Sequence, residues 1–381
     1  MGSEMCIRDR SRALAFGFSY KPMQALLEKE SVEEILDRLK VLETSAGQKP
    51  LPNEIDAEAL LGLAAEPDGS NHRVSDAFAL YVEKIAFDAQ FKKSPSQRKS
   101  WEKAKRTSVD YFVNSVGDMV MAEITREHAL EYRNWWMDRI ANGDEKGFQP
   151  TPYTANRHIG NLRTLYTSYF SYTGEEGRSN PFRKLSFKED RKTTRPPFSD
   201  EWVRTKILVP GIFDGLNEQL KAILYILIET GARPSEICNL HPENILLDVE
   251  VPYIQIREKK NREVKASDSN RDIPLVGVAL KAAKSCPSGF PRYFDKETTF
   301  SAAANKAFRS RSLFPSSDHK IYSFRHSMEK RMLEAGIDYG LRCTLMGHKN
   351  DRPSYGDGGS LEYRRDELLK IAHSFSPAIF A

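Results

Sequence analysis

The sequence predicts a mainly α-helical protein with one small antiparallel β-sheet, an α+β fold spread over more than one domain. Apolar residues recur at helical spacing through most of the 381-residue chain. Only two short runs, at 251–257 and 271–275, are typical of β-strands, and a polar stretch joins them as in a hairpin with a long tip. Segments rich in Gly, Pro and charge interrupt the pattern at 44–72 and 175–197. A chain of this length can bury separate cores.

The N-terminal segment, residues 1–74, is predicted to hold a helical arm and a linker. Residues 1–10 have neither a helical nor a strand period and resemble a translated cloning artefact rather than native sequence, so the fold prediction excludes them. Between Lys21 and Glu43 the apolar residues follow helical spacing, which predicts one or two amphipathic helices.

Residues 75–174 are predicted to form a compact helical domain. Helices are expected to start near residues that favour N-caps, namely Ser75, Ser94, Thr125 and Thr154. The aromatic residues of this region recur at helical spacing. This favours a packed core over a surface on which nucleic-acid bases would stack.

A second domain is predicted at 198–381, beyond a linker at 175–197. It opens with helices from Ser199 and from Asn217, and the hairpin follows them. Further helices are predicted at 278–284, 298–309, 323–335 and 360–372.

Composition argues against several classes of protein. No run approaches the roughly 18 consecutive apolar residues of a membrane-spanning helix, so we expect no membrane partner. The four cysteines, Cys6, Cys238, Cys286 and Cys343, lie far apart without CxxC spacing. We therefore expect a reducing cytoplasmic setting, with neither disulfides nor a zinc site. The thiols of Cys238 and Cys343 are expected to be buried.

Positive charge is concentrated in one part of the chain. The whole chain carries a formal net charge of +4, whereas residues 151–198 alone contain nine basic and four acidic residues. A solvated linker and a surface that follows DNA phosphates both fit this excess. The candidate DNA-binding residues are Arg157, Arg163, Arg191, Lys192 and Arg195.

A turn after an apolar helix places an arginine where it could grip a phosphate. Thr230 ends the helix, Gly231-Ala232-Arg233-Pro234 follows, and Glu236 is positioned to orient the guanidinium. An ordinary exposed salt bridge would give the same pattern.

The run G-A-R-P-S-E-I-x-x-L at 231–240 resembles the first arginine box of the tyrosine recombinases and phage integrases. Tyr322-Ser-Phe-Arg325 resembles the second box, H-x-x-R, with Tyr322 in place of the histidine. Gly347-His348 resembles the Gly-His pair of the family, which a tyrosine follows within about ten residues. Tyr355 is the candidate, and Tyr363, within an amphipathic run, is its competitor.

The family also carries a lysine on the hairpin before an R-x-x-P-L strand. Lys265 lies six positions before Arg271 and fits this place, with Lys259 and Lys260 as alternatives. The resemblance spans about 75–381. It implies a helical core-binding domain at 75–174 and a tyrosine-recombinase catalytic domain at 198–381.

The resemblance implies a metal-independent and cofactor-independent cleavage of DNA. Tyr355 would attack the phosphodiester to form a 3′-phosphotyrosyl link, while Arg233 and Arg325 bind the non-bridging oxygens. His348 would donate a hydrogen bond to the phosphate, and Lys265 would protonate the leaving 5′ oxygen. Tyr322 leaves the usual general-base role open and could instead support the site by hydrogen bonding.

The expected partners are double-stranded DNA attachment sites, enclosed by a C-shaped clamp, and other copies of the chain in a tetramer. The resemblance also implies that the 360–372 segment is exchanged between neighbours in the tetramer. It further implies an accessory DNA-bending protein and a bacterial setting near the nucleoid, in a mobile element or prophage. Two alternatives stay open. One is a catalytically degenerate integrase that regulates by binding DNA, favoured by Tyr322, and the other is a relaxing topoisomerase.

Overall fold

The computed structural model describes Phe18 and residues 32–45, 72–144, 147–189, 195–258, 269–350 and 358–380. The chain divides into two compact units. The first comprises Met1–Phe87 and Lys103–Glu189, and the second comprises Asp88–Glu102 and Asp190–Ala381.

The first unit is helical. Its elements are α1 (Val32–Ser45), α2 (Val74–Leu80), a π-helical turn at Tyr81–Ile85, most of α3 (Pro95–Ser115), α4 (Arg126–Asn142) and α5 (Pro152–Tyr172). Helix α1 coincides with the second half of the predicted N-terminal arm, while residues 21–31 lie outside the described residues.

Most predicted helix starts are confirmed by capping hydrogen bonds. Ser94 Oγ accepts from the backbone N of Gln97 at 3.2 Å, and Thr125 Oγ1 accepts from the backbone N of His128 at 3.4 Å. Such bonds satisfy backbone donors that have no partner inside the helix. Ser199, Asn217 and Ser360 cap the later helices in the same way.

Two predicted starts are wrong. Helix α2 begins at Val74, and Ser75 lies in its first turn, where Asp118 accepts hydrogen bonds from both the backbone N and Oγ of Ser75. A carboxylate distant in sequence therefore replaces the local cap. Helix α5 begins at Pro152 rather than Thr154, because Thr151 is the cap and proline suits the first helical position.

Aromatic side chains fill the core of the first unit, as predicted. Trp136 is 1% exposed, and Tyr132 and Phe112 are fully buried. The first part of the segment that composition assigned to a linker packs on the same unit, since Phe182 and Leu185 are also buried there.

The second unit combines helices with a small sheet. Its helices are α6 (Asp200–Trp202), which continues as a π-helical turn at Val203–Ile207, α7 (Glu218–Thr230), α8 (Pro234–Cys238), α9 (Gly277–Ser285), α10 (Glu297–Ser310), α11 (Ser323–Glu334), α12 (Tyr339–Met346) and α13 (Leu361–Leu369). In the part of the chain that the structure describes, no helix has the length and apolar character needed to cross a membrane.

The predicted hairpin is confirmed as part of an antiparallel sheet. Strands β2 (Tyr253–Ile256) and β3 (Arg271–Pro274) pair with Ile254 opposite Ile273. A further strand, β1 (Ile245–Leu246), pairs with the other edge of β2. The alternation buries Ile254, Ile256 and Ile273 against the helices.

Helix α7 lies at the centre of the second unit. Every residue from Ala222 to Thr230 is buried, which explains the nearly continuous apolar run in the sequence of this helix. The free thiols of Cys238 and Cys343 are buried, as predicted.

A buried charge cluster ties the C-terminal segment to α7. Glu229 Oε2 accepts from Arg331 Nη1 at 3.0 Å, and Glu229 Oε1 accepts from the backbone N of His373 at 2.9 Å. The predicted exchange segment therefore continues into a tail that is anchored on its own chain in this structure. A buried ion pair of this kind is costly to break.

Candidate active site

Arg233 lies on the turn between α7 and α8, where Gly231 allows the chain to leave the helix. Gly231 has a φ of +59°, and a Cβ there would lie 2.6 Å from Cβ of Met328, so only glycine fits. Beyond it, Arg233 Nη1 donates to Oε1 of Glu236 at 2.7 Å, and the backbone N of Arg233 donates to Oε2 at 2.7 Å. Glu236 thus orients Arg233, as predicted.

The Arg233 guanidinium has one N–H donor, Nε, that no described residue accepts from. Its side chain is 12% exposed, and Nη2 lies 3.3 Å from the carbonyl oxygen of Gly347. Nε is buried and has no hydrogen-bond partner among the described residues. A buried donor without a partner costs free energy unless a ligand satisfies it.

Arg271, the first residue of β3, is a site residue that the sequence reasoning missed. Its side chain is 1% exposed and forms an ion pair with Glu236, Nη2 to Oε2, at 2.7 Å. Nε donates to the carbonyl oxygen of Leu345 at 2.8 Å. Arg271 is the first residue of the R-x-x-P-L run, so the sequence carries a signal for it.

Glu236 is therefore shared by two arginines. Burial opposes ionisation of its carboxyl group, but the guanidiniums of Arg271 and Arg233 outweigh burial and lower its pKa to about 2. The carboxylate stays charged at neutral pH and fixes both guanidiniums.

Arg325, in the first turn of α11, is held mainly by the backbone. Nη1 donates to the carbonyl oxygen of Gly231 at 3.0 Å, and Nη2 donates to the carbonyl oxygen of Met346. Burial, together with the nearby Arg233 and Arg271, lowers the Arg325 pKa to about 10. Three cations around one carboxylate leave an excess of positive charge, which suits an anion such as phosphate.

His348 follows the left-handed turn that ends α12. Gly347 has a φ of +61°, and a Cβ there would lie 2.8 Å from Nη1 of Arg271. His348 Nε2 lies 2.9 Å from Arg325 Nη2, and its Nδ1 lies 4.0 Å from Oε2 of Glu329. The structure thus brings Arg233, Arg325 and His348 together around one turn.

Tyr322 directly precedes α11, and its ring contacts the side chains of His326 and Arg195. Its ring packs edge-on against His326 with 5.8 Å between ring centroids, and the Arg195 guanidinium lies 5.3 Å from the centre of the Tyr322 ring. Partial burial, Arg195 and Arg325 lower the pKa of His326. The sequence offers a signal for His326 as well, because it lies one helical turn after the position at which the family has a histidine.

Several candidates lie outside the described residues: Tyr355, Lys265, Lys259, Lys260, Arg191 and Lys192. The competitor Tyr363 lies in the first turn of α13, where its side chain is 45% exposed. Of the predicted DNA-binding residues on α5, Arg157 is exposed. Arg163 instead donates from Nε to the carbonyl oxygen of Phe182 at 3.0 Å and so holds the chain after α5.

Comparison with known proteins finds similarities that include the second unit. Residues 209–353, which include Arg233, Arg325 and His348, match the model of the phage integrase family. Tyrosine recombinase XerA of Pyrococcus furiosus is 25% identical over 232 residues, 54% of this chain and 74% of the relative. Tyrosine recombinase XerC of Natranaerobius thermophilus is 26% identical over 243 residues, 60% of this chain and 76% of the relative.

The fold is shared with a lambda integrase tetramer solved on a Holliday junction. The TM-score is 0.53 at 15% identity, covering 84% of this chain and 87% of that one. The predicted fold class, mainly α with a small antiparallel sheet, is confirmed. The family match therefore covers residues 209–353, and the chain as a whole is similar to tyrosine recombinases.

Proposed function

We propose that the chain performs site-specific recombination by cleaving DNA with Tyr355 and rejoining it through a 3′-phosphotyrosyl intermediate. The observation that carries the proposal is the convergence of Arg233 and Arg325 on the Gly347 turn, directly before His348. The site holds more positive charge than its own carboxylate neutralises, and Arg233 Nε is buried without a described partner. A phosphate would supply the missing negative charge.

The chemistry follows from where charge develops. Attack by an oxygen nucleophile places negative charge on the non-bridging oxygens of a pentacoordinate phosphorus, and guanidiniums fixed in advance stabilise it without reorganising. Tyr355 forms the new P–O bond as the bond to the 5′ oxygen breaks, and Lys265 gives that oxygen a proton. Reversal by another 5′ hydroxyl rejoins the strand, so the bond energy is conserved.

The tyrosine hydroxyl must lose a proton, and its ordinary pKa near 10 makes this unfavourable at neutral pH. The two guanidiniums stabilise the phenolate, and Tyr322 stands where the family has a histidine. In this proposal Tyr322 supports proton removal by hydrogen bonding, and the proton itself passes to solvent water. The proximity of Tyr322 to His326 and Arg195 supports a polar role for it.

The DNA partner is duplex DNA carrying attachment sites. The core-binding domain at 75–174, the basic segment at 175–197 and the catalytic domain at 198–381 would each contact it, with Arg157 and Arg195 binding phosphates. The lambda integrase relative was solved as a tetramer on a Holliday junction. By analogy we propose a tetramer on DNA in which the 360–372 segments are exchanged.

The test is covalent capture on a nicked suicide substrate, read on a denaturing gel. The parent chain is expected to form a protein–DNA adduct, and Tyr355→Phe is expected to bind DNA but form none, since only the hydroxyl is removed. Tyr363→Phe is the matched control and should form the adduct. Adduct formation by Tyr355→Phe, together with its loss in Tyr363→Phe, would move the nucleophile to α13.

A further inference from the structure

A carboxylate on α11 faces His348 from the side opposite Arg325. Glu329 lies one helical turn after Arg325, and its Oε1 lies 3.2 Å from Nη1 of Arg342. Its other oxygen, Oε2, lies 4.0 Å from Nδ1 of His348. That oxygen is buried and has no hydrogen-bond partner within the described part of the chain. A buried acceptor without a partner calls for a physical explanation.

The contact with Arg325 fixes where the His348 proton resides. Arginine nitrogens only donate hydrogen bonds, and with a pKa of about 10 Arg325 stays protonated at neutral pH. Nε2 of His348, at 2.9 Å from Nη2 of Arg325, must therefore accept. The neutral ring then carries its hydrogen on Nδ1, on the side where Glu329 lies.

We propose that Glu329 is a positioning residue that holds His348 by its Nδ1 side and stabilises the imidazolium once DNA is bound. The inference rests on the proposed function. When the phosphate takes the Nη2 donor of Arg325, Nε2 of His348 is released. It takes up one proton from solvent and donates that proton in a hydrogen bond to a non-bridging oxygen, while Nδ1–H faces the Glu329 carboxylate. A carboxylate behind a histidine orients the ring in this way in many sites.

The surrounding charges explain why one carboxylate matters. Among the described residues, three cations lie close to this part of the site and disfavour an imidazolium: Arg325, Arg342 and Arg233. The carboxylate of Glu329 also acts on His326, where it opposes the lowering of the pKa. Glu236 is engaged with Arg233 and Arg271, whereas Glu329 faces the His348 ring within the part of the chain that the structure describes.

The decisive variant is Glu329→Gln, which keeps an oxygen for Arg342 and removes the charge. Single-turnover adduct formation on the suicide substrate is measured from about pH 6 to about pH 9, the range in which histidines titrate. At about pH 8 we expect the rate to fall roughly tenfold to a hundredfold, the effect of one charge-assisted hydrogen bond. The loss should shrink toward pH 6, because the imidazolium then forms without help, and DNA affinity should not change.

Glu334→Gln is the matched control. Glu334 lies on the same helix and pairs with Lys330 at 3.5 Å on the exposed surface. This substitution removes the same charge away from His348, and both the rate and the pH profile should match the parent.

The outcomes separate the inference from the proposed function. A parent chain that forms no adduct refutes the proposed function, and the inference with it. A parent that reacts while Glu329→Gln reacts equally well, or more slowly by the same factor at every pH, overturns only the inference. If Glu329→Gln unfolds on thermal melting, Glu329→Asp replaces it. That variant keeps the charge, so it should be slower without a shift of the pH profile, and a shift toward lower pH would also overturn the inference.

Discussion

Glu236→Gln should destabilise the second unit in a pH-dependent manner. The carboxylate of Glu236 binds Arg233 and Arg271, and its side chain is almost entirely buried. Glutamine keeps the shape but removes the charge, so the two guanidiniums would remain buried side by side without an anion. Breaking a buried pair by removing one partner costs about 3 to 5 kcal/mol.

The pKa of Glu236 gives a magnitude of the same size. Arg271 and Arg233, acting against burial, lower it from 4.5 to about 2. At about 1.4 kcal/mol for each pKa unit, ionisation of Glu236 contributes about 3 kcal/mol to the free energy of unfolding. Because the folded-state pKa is depressed, this contribution is complete above the unfolded-state value near 4.5 and is lost as the pH falls toward 2.

Urea denaturation of the parent and of Glu236→Gln measures the difference. At about pH 7 the variant should be less stable by about 3 kcal/mol, and at about pH 3 the difference should shrink to about 1 kcal/mol. Glu218→Gln is the control, because the side chain of Glu218 is 73% exposed where it pairs with Lys221, and its loss should cost less than about 1 kcal/mol. A difference that is the same at both pH values would refute the reasoning.

Two further predictions concern DNA and proton transfer. Replacing Arg191, Lys192 and Arg195 with alanine should weaken DNA binding equally for all sequences. The slope of the logarithm of the binding constant against the logarithm of the salt concentration should fall by roughly one for each phosphate that is no longer neutralised. An unchanged slope in a binding titration would mean that these residues are merely solvated. Tyr322→Phe should slow single-turnover adduct formation roughly tenfold to a hundredfold, and Tyr322→His should keep or raise the rate. If the parent is inert and Tyr322→His is active, the result favours the degenerate-integrase alternative. If Tyr322→Phe reacts as fast as the parent, Tyr322 has only a packing role.

The sequence predicts those parts of the fold whose signals are local. Thr125 and Asn217 cap their helices because the capping side chain lies three residues from the amide it binds. The start of α2 could not be predicted, since its cap comes from Asp118, 43 residues after Ser75. Strand β1 has two residues, too few for an alternating pattern to be visible.

The residues of the candidate site also differ in whether a local sequence signal reveals them. Arg233, Arg325 and His348 stand in runs that resemble family boxes, and the structure brings them together. Arg271 was missed because its partner Glu236 lies 35 residues earlier, and no periodicity reveals that a charged strand residue is buried. Glu329 was missed because only the return of the chain at α12 places His348 beside it.

The way Arg325 is held bears on how this site can change over time. Its described acceptors include the carbonyl oxygens of Gly231 and Met346, and main-chain atoms are present whichever side chain a residue carries. Replacement of neighbouring side chains therefore leaves these anchors in place as long as the chain keeps its path through the two left-handed glycines. Selection on this arginine then acts on the course of the backbone more than on the identity of its neighbours, so chains of this kind can drift far apart in sequence while the guanidinium stays aimed at the same point.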